Sequence, residues 1–344
     1  MSTADALRRR DADTTITALG TSQGLEARIV PLRGYPMATI PRVPLPRRPG
    51  LDLLRVPGRL AGAVRQTGAH LDRLKADVVV GFGGYVSVPA YLAARRRRIP
   101  VVVHEANARA GIANRLGARL TPFVAAAVEG SGLAGATVVG IPLRRSIAGL
   151  DRAAARAGAR VALGLSDGPV LLVTGGSQGA HRINAAITDA AADLAVAGMQ
   201  VLHLTGPQQA DAVRAGLGPS APATHHVLGY LDSMVNAYAA ADLVLCRAGA
   251  MTCAELAAVG LPAVYVPLPI GNGEQALNAR PVVDAGGGLI VEDGALDAAY
   301  VRDVVLSLLR DPDRLAVMGR AAGALGHRDA DEALVDIVLA AAGR

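Results

Sequence analysis

The sequence predicts an α/β protein built on parallel sheets, and three observations carry that prediction. Short apolar runs alternate with longer helical patterns along the whole chain, as repeated βαβ units require. Several of those runs, VLLVT (170–174) and LVLC (243–246) among them, are apolar without alternation, as strands covered on both faces are. Glycine turns follow two of them, GFGG (81–84) and TGGSQG (174–179), where a strand bends sharply into a helix. At 344 residues there is room for two domains.

Taken in order, Ala4–Arg10 reads as a helix that feeds a strand at Thr15–Leu19. Further strands are expected at Val78–Phe82, Val101–His104, Val124–Val128 and Thr137–Val139. Pro142 then interrupts the pattern, so the domain change falls near Gly140–Arg145. This gives an N-terminal domain over 1–143 and a C-terminal domain over 144–326, with a last helix over about 327–344 that can pack back on the first. The segment Leu150–Gly168 reads as a helix and the lead-in to a new strand. Second-half strands are expected at Val170–Thr174, Val201–Leu204, His226–Leu228, Leu243–Cys246, Ala263–Val266 and Leu289–Val291. Helices at Ala180–Ala195 and Asp232–Ala240 fill two of the gaps.

Hydrophobic residues make up 51% of the chain, but aromatics only 3%, so Val, Leu, Ala and Ile must build the cores. The formal charge of +6 favours anionic partners without choosing among them. Nucleic acid is not expected, because no aromatics are interleaved with the basic residues. Cys246 and Cys253 lack metal-ligand spacing and fit a reduced, intracellular setting. The opening MSTADALRRRD has no apolar core of a signal peptide, and no run reaches the roughly 18 apolar residues of a membrane span. The expected protein is soluble or at most peripheral.

Chemistry concentrates where open parallel sheets bind ligands, at the carboxyl ends of strands. Gly175, Gly176 and Gly179 let a backbone approach a phosphate closely, the following helix N-terminus supplies free N–H groups, and Ser177 adds a hydroxyl. The turn matches neither the Walker pattern nor GxGxxG, so ATP and NAD are not indicated. A ligand-free tight turn is the competing reading. Gly81, Gly83 and Gly84 repeat the design in the first half, with Phe82 and Tyr85 beside them. Thr252 and Glu255 form T-x-x-E, which fits equally a capping box or a carboxylate reserved for a ribose diol. Glu274, Gln275 and Asn278 close the loop after the strand at Ala263–Val266.

The ordered set HEAN (104–107), GIPLR (140–144), TGGSQGA (174–180), GYLDSM (229–234), CRAGAMTCAE (246–255) and GEQALNA (273–279) resembles one family. It is that of the undecaprenyldiphospho-muramoylpentapeptide β-N-acetylglucosaminyltransferases of peptidoglycan synthesis. The resemblance implies a GT-B fold, two Rossmann-like domains with parallel sheets facing a central cleft. It implies inverting transfer of GlcNAc from UDP-GlcNAc to the C4 hydroxyl of the muramoyl sugar of lipid I, an undecaprenyl-diphosphate-linked acceptor. Asn107, Arg144, Ser177, Glu255 and Gln275 match the family's donor-binding positions. Leu231 matches a uracil contact, and Ala250, Met251 and Thr252 the turn near the donor sugar. Gly175, Gly176, Gly179, Glu274, Asn278, Gly83 and Gly84 stand second. No cofactor and no metal are implied, and the D-x-D triplets at 11–13, 311–313 and 329–331 read as helix-flanking charge.

A glycine loop of the GGTxGHxxP type, bearing a His proposed as the base, and the strand before it are absent from this sequence. The expectation is a misplaced start or a truncation, with an edge or gap left in the first sheet. His104 and Glu105 are the substitutes nearest to hand for a base. Two alternatives remain, a UDP-sugar-binding GT-B protein with impaired catalysis and another GT-B enzyme, either a glycosyltransferase or a UDP-GlcNAc epimerase. Arg95–Arg98 and the amphipathic segment Leu51–Gln66 are candidates for contact with an anionic membrane surface, on the cytoplasmic face.

Overall fold

The computed structural model describes residues 1–43, 51–176, 179–270 and 273–344, with backbone alone at 51–55. The chain divides into two compact units, Met1–Pro142 with Asp329–Arg344, and Leu143–Arg328.

In the first unit, β1 (Ala18–Gly20) and β2 (Met37–Thr39) pair with each other in parallel. A separate parallel sheet holds β3 (Val79–Gly81), β4 (Val101–Glu105), β5 (Val124–Ala126) and β6 (Thr137–Val138), in that order. Among the described residues no strand pairing joins β1 or β2 to this four-stranded sheet. Val102, Ala125 and Val139 pack against Leu334, Val338 and Ala341 of the last helix, Ala330–Ala341. The first helix, Ser2–Arg10, is tied to the same helix by Arg9, which donates to Asp331 at 2.6 Å and Glu332 at 2.8 Å. This apolar face against β4 and β5 is why the C-terminal 16 residues belong to the N-terminal unit.

The second unit is a six-stranded, wholly parallel sheet ordered β12-β11-β10-β7-β8-β9. Its strands are β7 (Val170–Thr174), β8 (Gln200–Leu204), β9 (His225–Leu228), β10 (Leu243–Cys246), β11 (Ala263–Tyr265) and β12 (Gly288–Ile290). Both central strands are buried along their length, with only Thr174 half-buried, which explains their unbroken apolar sequence. Leu171, Val173, Leu243 and Leu245 meet Ile183, Ile187 and the helical residues Val301, Val305 and Leu308 in one core.

Three expectations are corrected. The strand β2 lies in YPMATIP, where a three-residue strand set between prolines carries no periodic signal, and it was not anticipated. The helix expected over Ala180–Ala195 is two, His181–Asp189 and Ala191–Val196, broken at the fully buried Ala190. The segment expected to start a strand at Thr15 is extended only from Ala18.

Candidate functional site

In the second unit the strand order reverses between β7 and β10. From β7 the chain moves outward to β8 and β9, then returns to the other side for β10, β11 and β12. Register sets Thr174 beside Cys246, so the loops after both strands leave the sheet together. A crevice at the carboxyl ends of strands at such a switch point is where open α/β sheets take ligands.

After β7, Gly176 has φ of 83° and its N–H donates to Thr174 Oγ1 at 3.2 Å. Gly179, with φ of 75°, donates to Gly176 O at 3.0 Å and closes the turn. A Cβ on Gly175 would run into the backbone of Gly179 and Ala180, and one on Gly179 into Thr205 O. Both glycines are therefore required by the tightness of the turn itself, with or without a ligand. Ser177 lies outside the described residues.

After β10, Gly249 is the N-cap of helix Ala250–Val259, and no side chain caps it. Thr252 is consequently inside the helix, and the capping-box reading of Thr252 and Glu255 fails. Glu255 turns inward instead. It is buried, its Oε2 accepts from Tyr238 OH at 2.7 Å, and its Oε1 lies 3.7 Å from Arg144 Nη2. Burial raises the Glu255 pKa, while the Tyr238 hydroxyl and the Arg144 charge oppose the rise. The same burial, reinforced by the carboxylate, pushes the Tyr238 phenol well up. Arg144, at the N-cap of helix Arg145–Ala148, keeps 39% of its side chain exposed. Ala250 and Thr252 are half-buried and Met251 exposed at the same helix start.

After β11, Gly273 takes a left-handed φ of 76° and opens helix Glu274–Asp284. Gln275 Oε1 accepts from Leu268 N at 3.0 Å, and Asn278 Nδ2 donates to Ala248 O at 3.4 Å, tying this helix to the loop after β10. Glu274 is half-buried on the first turn. Leu231 sits in the loop after β9, two strands away from β7. The fold thus gathers Arg144, Glu255, Ala250, Met251, Thr252, Gln275 and Asn278 at neighbouring strand ends, with Leu231 further along the same edge.

Sequence reasoning missed Tyr238, whose meeting with Glu255 is made only by folding. It also missed Arg247, which pairs with Asp293 at 2.6 Å and donates to Val266 O and Pro267 O at 3.2 and 3.3 Å. Arg247 braces the loops after β10 and β11; its place directly after a buried strand was the available signal.

In the first unit, Gly83 and Gly84 have φ of 86° and 84° and turn β3 into helix Ser87–Arg96. Glu105 is buried at the end of β4 with both oxygens occupied. Oε1 accepts from Asn107 N at 2.9 Å and Asn107 Nδ2 at 3.1 Å, and Oε2 from Gly111 N at 3.0 Å and Asn114 Nδ2 at 2.9 Å. Asn114 in turn accepts from Tyr91 OH at 2.8 Å. His104 is 1% exposed, and its Nε2 lies 2.8 Å from Gly140 O, so that nitrogen carries the proton. Nδ1 is buried without a hydrogen-bond partner among the described residues, and burial lowers the imidazole pKa. Neither group presents a basic atom to solvent. Glu105 clamps the turn that carries Asn107, and His104 holds the loop at Gly140.

Residues 1–125 match the model of the glycosyltransferase family 28 N-terminal domain, and residues 170–334 that of its C-terminal domain. The chain is 57% identical over 351 residues to a UDP-N-acetylglucosamine–N-acetylmuramyl-(pentapeptide) pyrophosphoryl-undecaprenol N-acetylglucosamine transferase of Rhodococcus opacus, covering 98% of this chain and 91% of the relative. The crystal structure of Acinetobacter baumannii MurG superposes with a TM-score of 0.79 at 29% identity, covering 98% of this chain and 94% of that one. A UDP-GlcNAc 2-epimerase from Neisseria meningitidis, solved with UDP-GlcNAc, gives 0.68 at 17% identity, covering 98% and 95%, and speaks for the fold alone. With the GT-B architecture of two parallel α/β units, these matches mean that the chain belongs to glycosyltransferase family 28, among the undecaprenyldiphospho-muramoylpentapeptide β-N-acetylglucosaminyltransferases.

Proposed function

We infer that this chain transfers GlcNAc from UDP-GlcNAc to the C4 hydroxyl of the muramoyl sugar of lipid I, forming lipid II by a single inverting displacement. The observation that carries the reading is the 57% identity to the Rhodococcus opacus transferase across 98% of the chain. Residues 144–326 form the donor-binding domain, and residues 1–143 with the last helix form the acceptor domain.

The chemistry follows from charge. As the glycosidic bond breaks, negative charge builds on the UDP leaving group, and fixed cations and N–H groups that meet it lower the barrier. Arg144 and the Gly175–Gly179 turn, with Ser177, supply those groups. Glu255 accepts from the ribose diol, Leu231 flanks the uracil, and Gln275, Asn107 and the Ala250–Thr252 helix start orient the sugar. Glu274 and Asn278 stand second beside Gln275, and Gly83 and Gly84 stand second on the acceptor domain. The acceptor hydroxyl needs a base in reach, and the geometry of His104 and Glu105 speaks against either.

Among the described residues no helix is long and apolar enough to cross a membrane. A lipid-linked acceptor is met at the membrane surface, so the proposed placement is peripheral on its inner face, and the exposed Arg95, Arg96 and Arg98 offer charge for it. Arg97 is instead paired to Asp72 at 2.6 Å. In the segment 51–66, the side chains of Leu53, Leu54 and Arg55 lie outside the described residues, and Val64 is a buried core residue.

The test is an assay with UDP-GlcNAc and a soluble lipid I analogue. Formation of the disaccharide is expected. Conversion of the donor to its C2 epimer overturns the reading in favour of an epimerase, and binding without transfer in favour of a UDP-sugar-binding protein.

A further inference from the structure

The amino-terminal ends of β7, β10 and β11 open onto a cavity of about 720 Å³, one strand length from the candidate donor site, roughly 13 Å. That volume is ordinary for a small-molecule pocket. Four guanidinium groups line it, those of Arg152, Arg156, Arg160 and Arg320, against the single carboxylate of Asp242. Arg152, Arg156 and Arg160 recur every four residues on helix Arg152–Ala162 and therefore share one face of it.

Structural work uses only part of this charge. Arg152 is spent on backbone, donating to Tyr238 O, Gly260 O and Ala241 O at 3.0, 2.9 and 2.6 Å. Arg156 and Arg160 share Asp242, at 2.6 and 3.2 Å. A guanidinium has five N–H donors, and that contact is the one hydrogen bond Arg156 makes among the described residues. Arg320, on helix Pro312–Gly323, is exposed, and its guanidinium makes no hydrogen bond or ion pair among the described residues. Burial, and after it the neighbouring charge of Arg156, holds the Arg160 pKa below its usual value, as expected where cations outnumber their counterions. The remaining wall is apolar, from Pro262, Leu309 and Leu315.

We propose that this cavity is a second anion site, separate from the donor site, that takes a phosphate-bearing ligand with an apolar portion. Guanidinium forks match phosphate oxygens in pairs. Arg156 and Arg320 supply the free donors, while the apolar wall and the volume accommodate a body larger than a bare phosphate. The phosphate can come from a soluble polyphosphate ester or from an anionic lipid headgroup.

Two probes separate those sources, inorganic pyrophosphate by calorimetry in saturating UDP, and flotation with phosphatidylglycerol vesicles against phosphatidylcholine vesicles. Arg320→Glu and Ala316→Trp alter exposed positions of the cavity wall and leave its half-buried ion pairs to Asp242 intact. Each is expected to weaken the bound probe about tenfold or more, whereas Arg144→Gln, at the donor end, leaves it unchanged. Pyrophosphate binding that responds this way assigns a soluble ligand. Vesicle binding that responds this way, without pyrophosphate binding, assigns a headgroup. The proposal is overturned if the intact chain binds neither probe. It is equally overturned if binding survives Arg320→Glu and Ala316→Trp or is lost in Arg144→Gln.

Discussion

Replacing Glu255 with Gln separates the two jobs its position allows. The side chains are nearly isosteric, so the amide oxygen can keep the hydrogen bond from Tyr238, now 2.7 Å long. Arg144, 39% exposed, turns to water when its 3.7 Å partner loses charge, and no cation is stranded in the core. Losing a buried carboxylate whose pKa burial has raised removes a cost, so stability should hold within about 1 kcal/mol. The sign is fixed by linkage. A raised folded-state pKa means stability falls as pH rises from the ordinary glutamate value of 4.5 through the folded value, and E255Q should lack that slope. Binding should move the other way. A charged acceptor on a ribose hydroxyl exceeds a neutral one by about 1–2 kcal/mol, so the Kd for UDP should rise about 5- to 30-fold. Calorimetry with UDP and 2′-deoxy-UDP reads this directly, because E255Q should discriminate the pair less than the wild type does. If E255Q binds UDP like the wild type while remaining folded, Glu255 is a buried structural acid held by Tyr238 and the ribose role is wrong.

Gly175→Ala and Gly179→Ala should each cost about 1–3 kcal/mol by overpacking, the second adding strain at φ of 75°, and both should weaken UDP binding. Thermal melts and calorimetry check this, and unchanged melting would mean the turn relaxes freely. Glu105→Ala leaves the N–H groups of Asn107 and Gly111 without their carboxylate and should destabilise the chain by about 3 kcal/mol in denaturant titrations, more than a surface carboxylate would. His203 and His225 have pKa values lowered to about 3 and about 4, chiefly by burial. Unfolded, both take up protons below about 6.5, so stability should drop by about 2 kcal/mol between pH 6.5 and 5.5. His225→Gln should remove about half of that drop, and an unchanged slope would assign it to other groups.

Most of the sheet was legible because its central strands are buried on both faces. VLLVT and LVLC contain no polar residue before Thr174, and a βα glycine turn follows the first. The strand β2 was not legible, since three residues at a sheet margin bury too little to impose a pattern. The break at Ala190 has no breaker residue to announce it. Site residues divide the same way. Glycines 175, 176 and 179 were readable because turn geometry restricts them locally. The partner of Glu255 was not, because Tyr238 lies 17 residues away and meets it through the packing of two helices.

The ambiguity of Thr252 and Glu255 shows where local pattern stops deciding chemistry. T-x-x-E describes a capping box only if Thr stands at the N-cap, and Gly249 already holds that place. Once the helix begins at Ala250, the sixth residue points into the core, and an acid there has to be neutralised, paired or served by a ligand. Tyr238 satisfies one oxygen at 2.7 Å, and Arg144 approaches the other at 3.7 Å, beyond hydrogen-bond reach. The second oxygen is therefore only partly compensated beside the switch point of the sheet. In the proposed role a diol hydroxyl arriving there completes its shell, and the loss of 2′-hydroxyl discrimination in E255Q is the measurement that checks it.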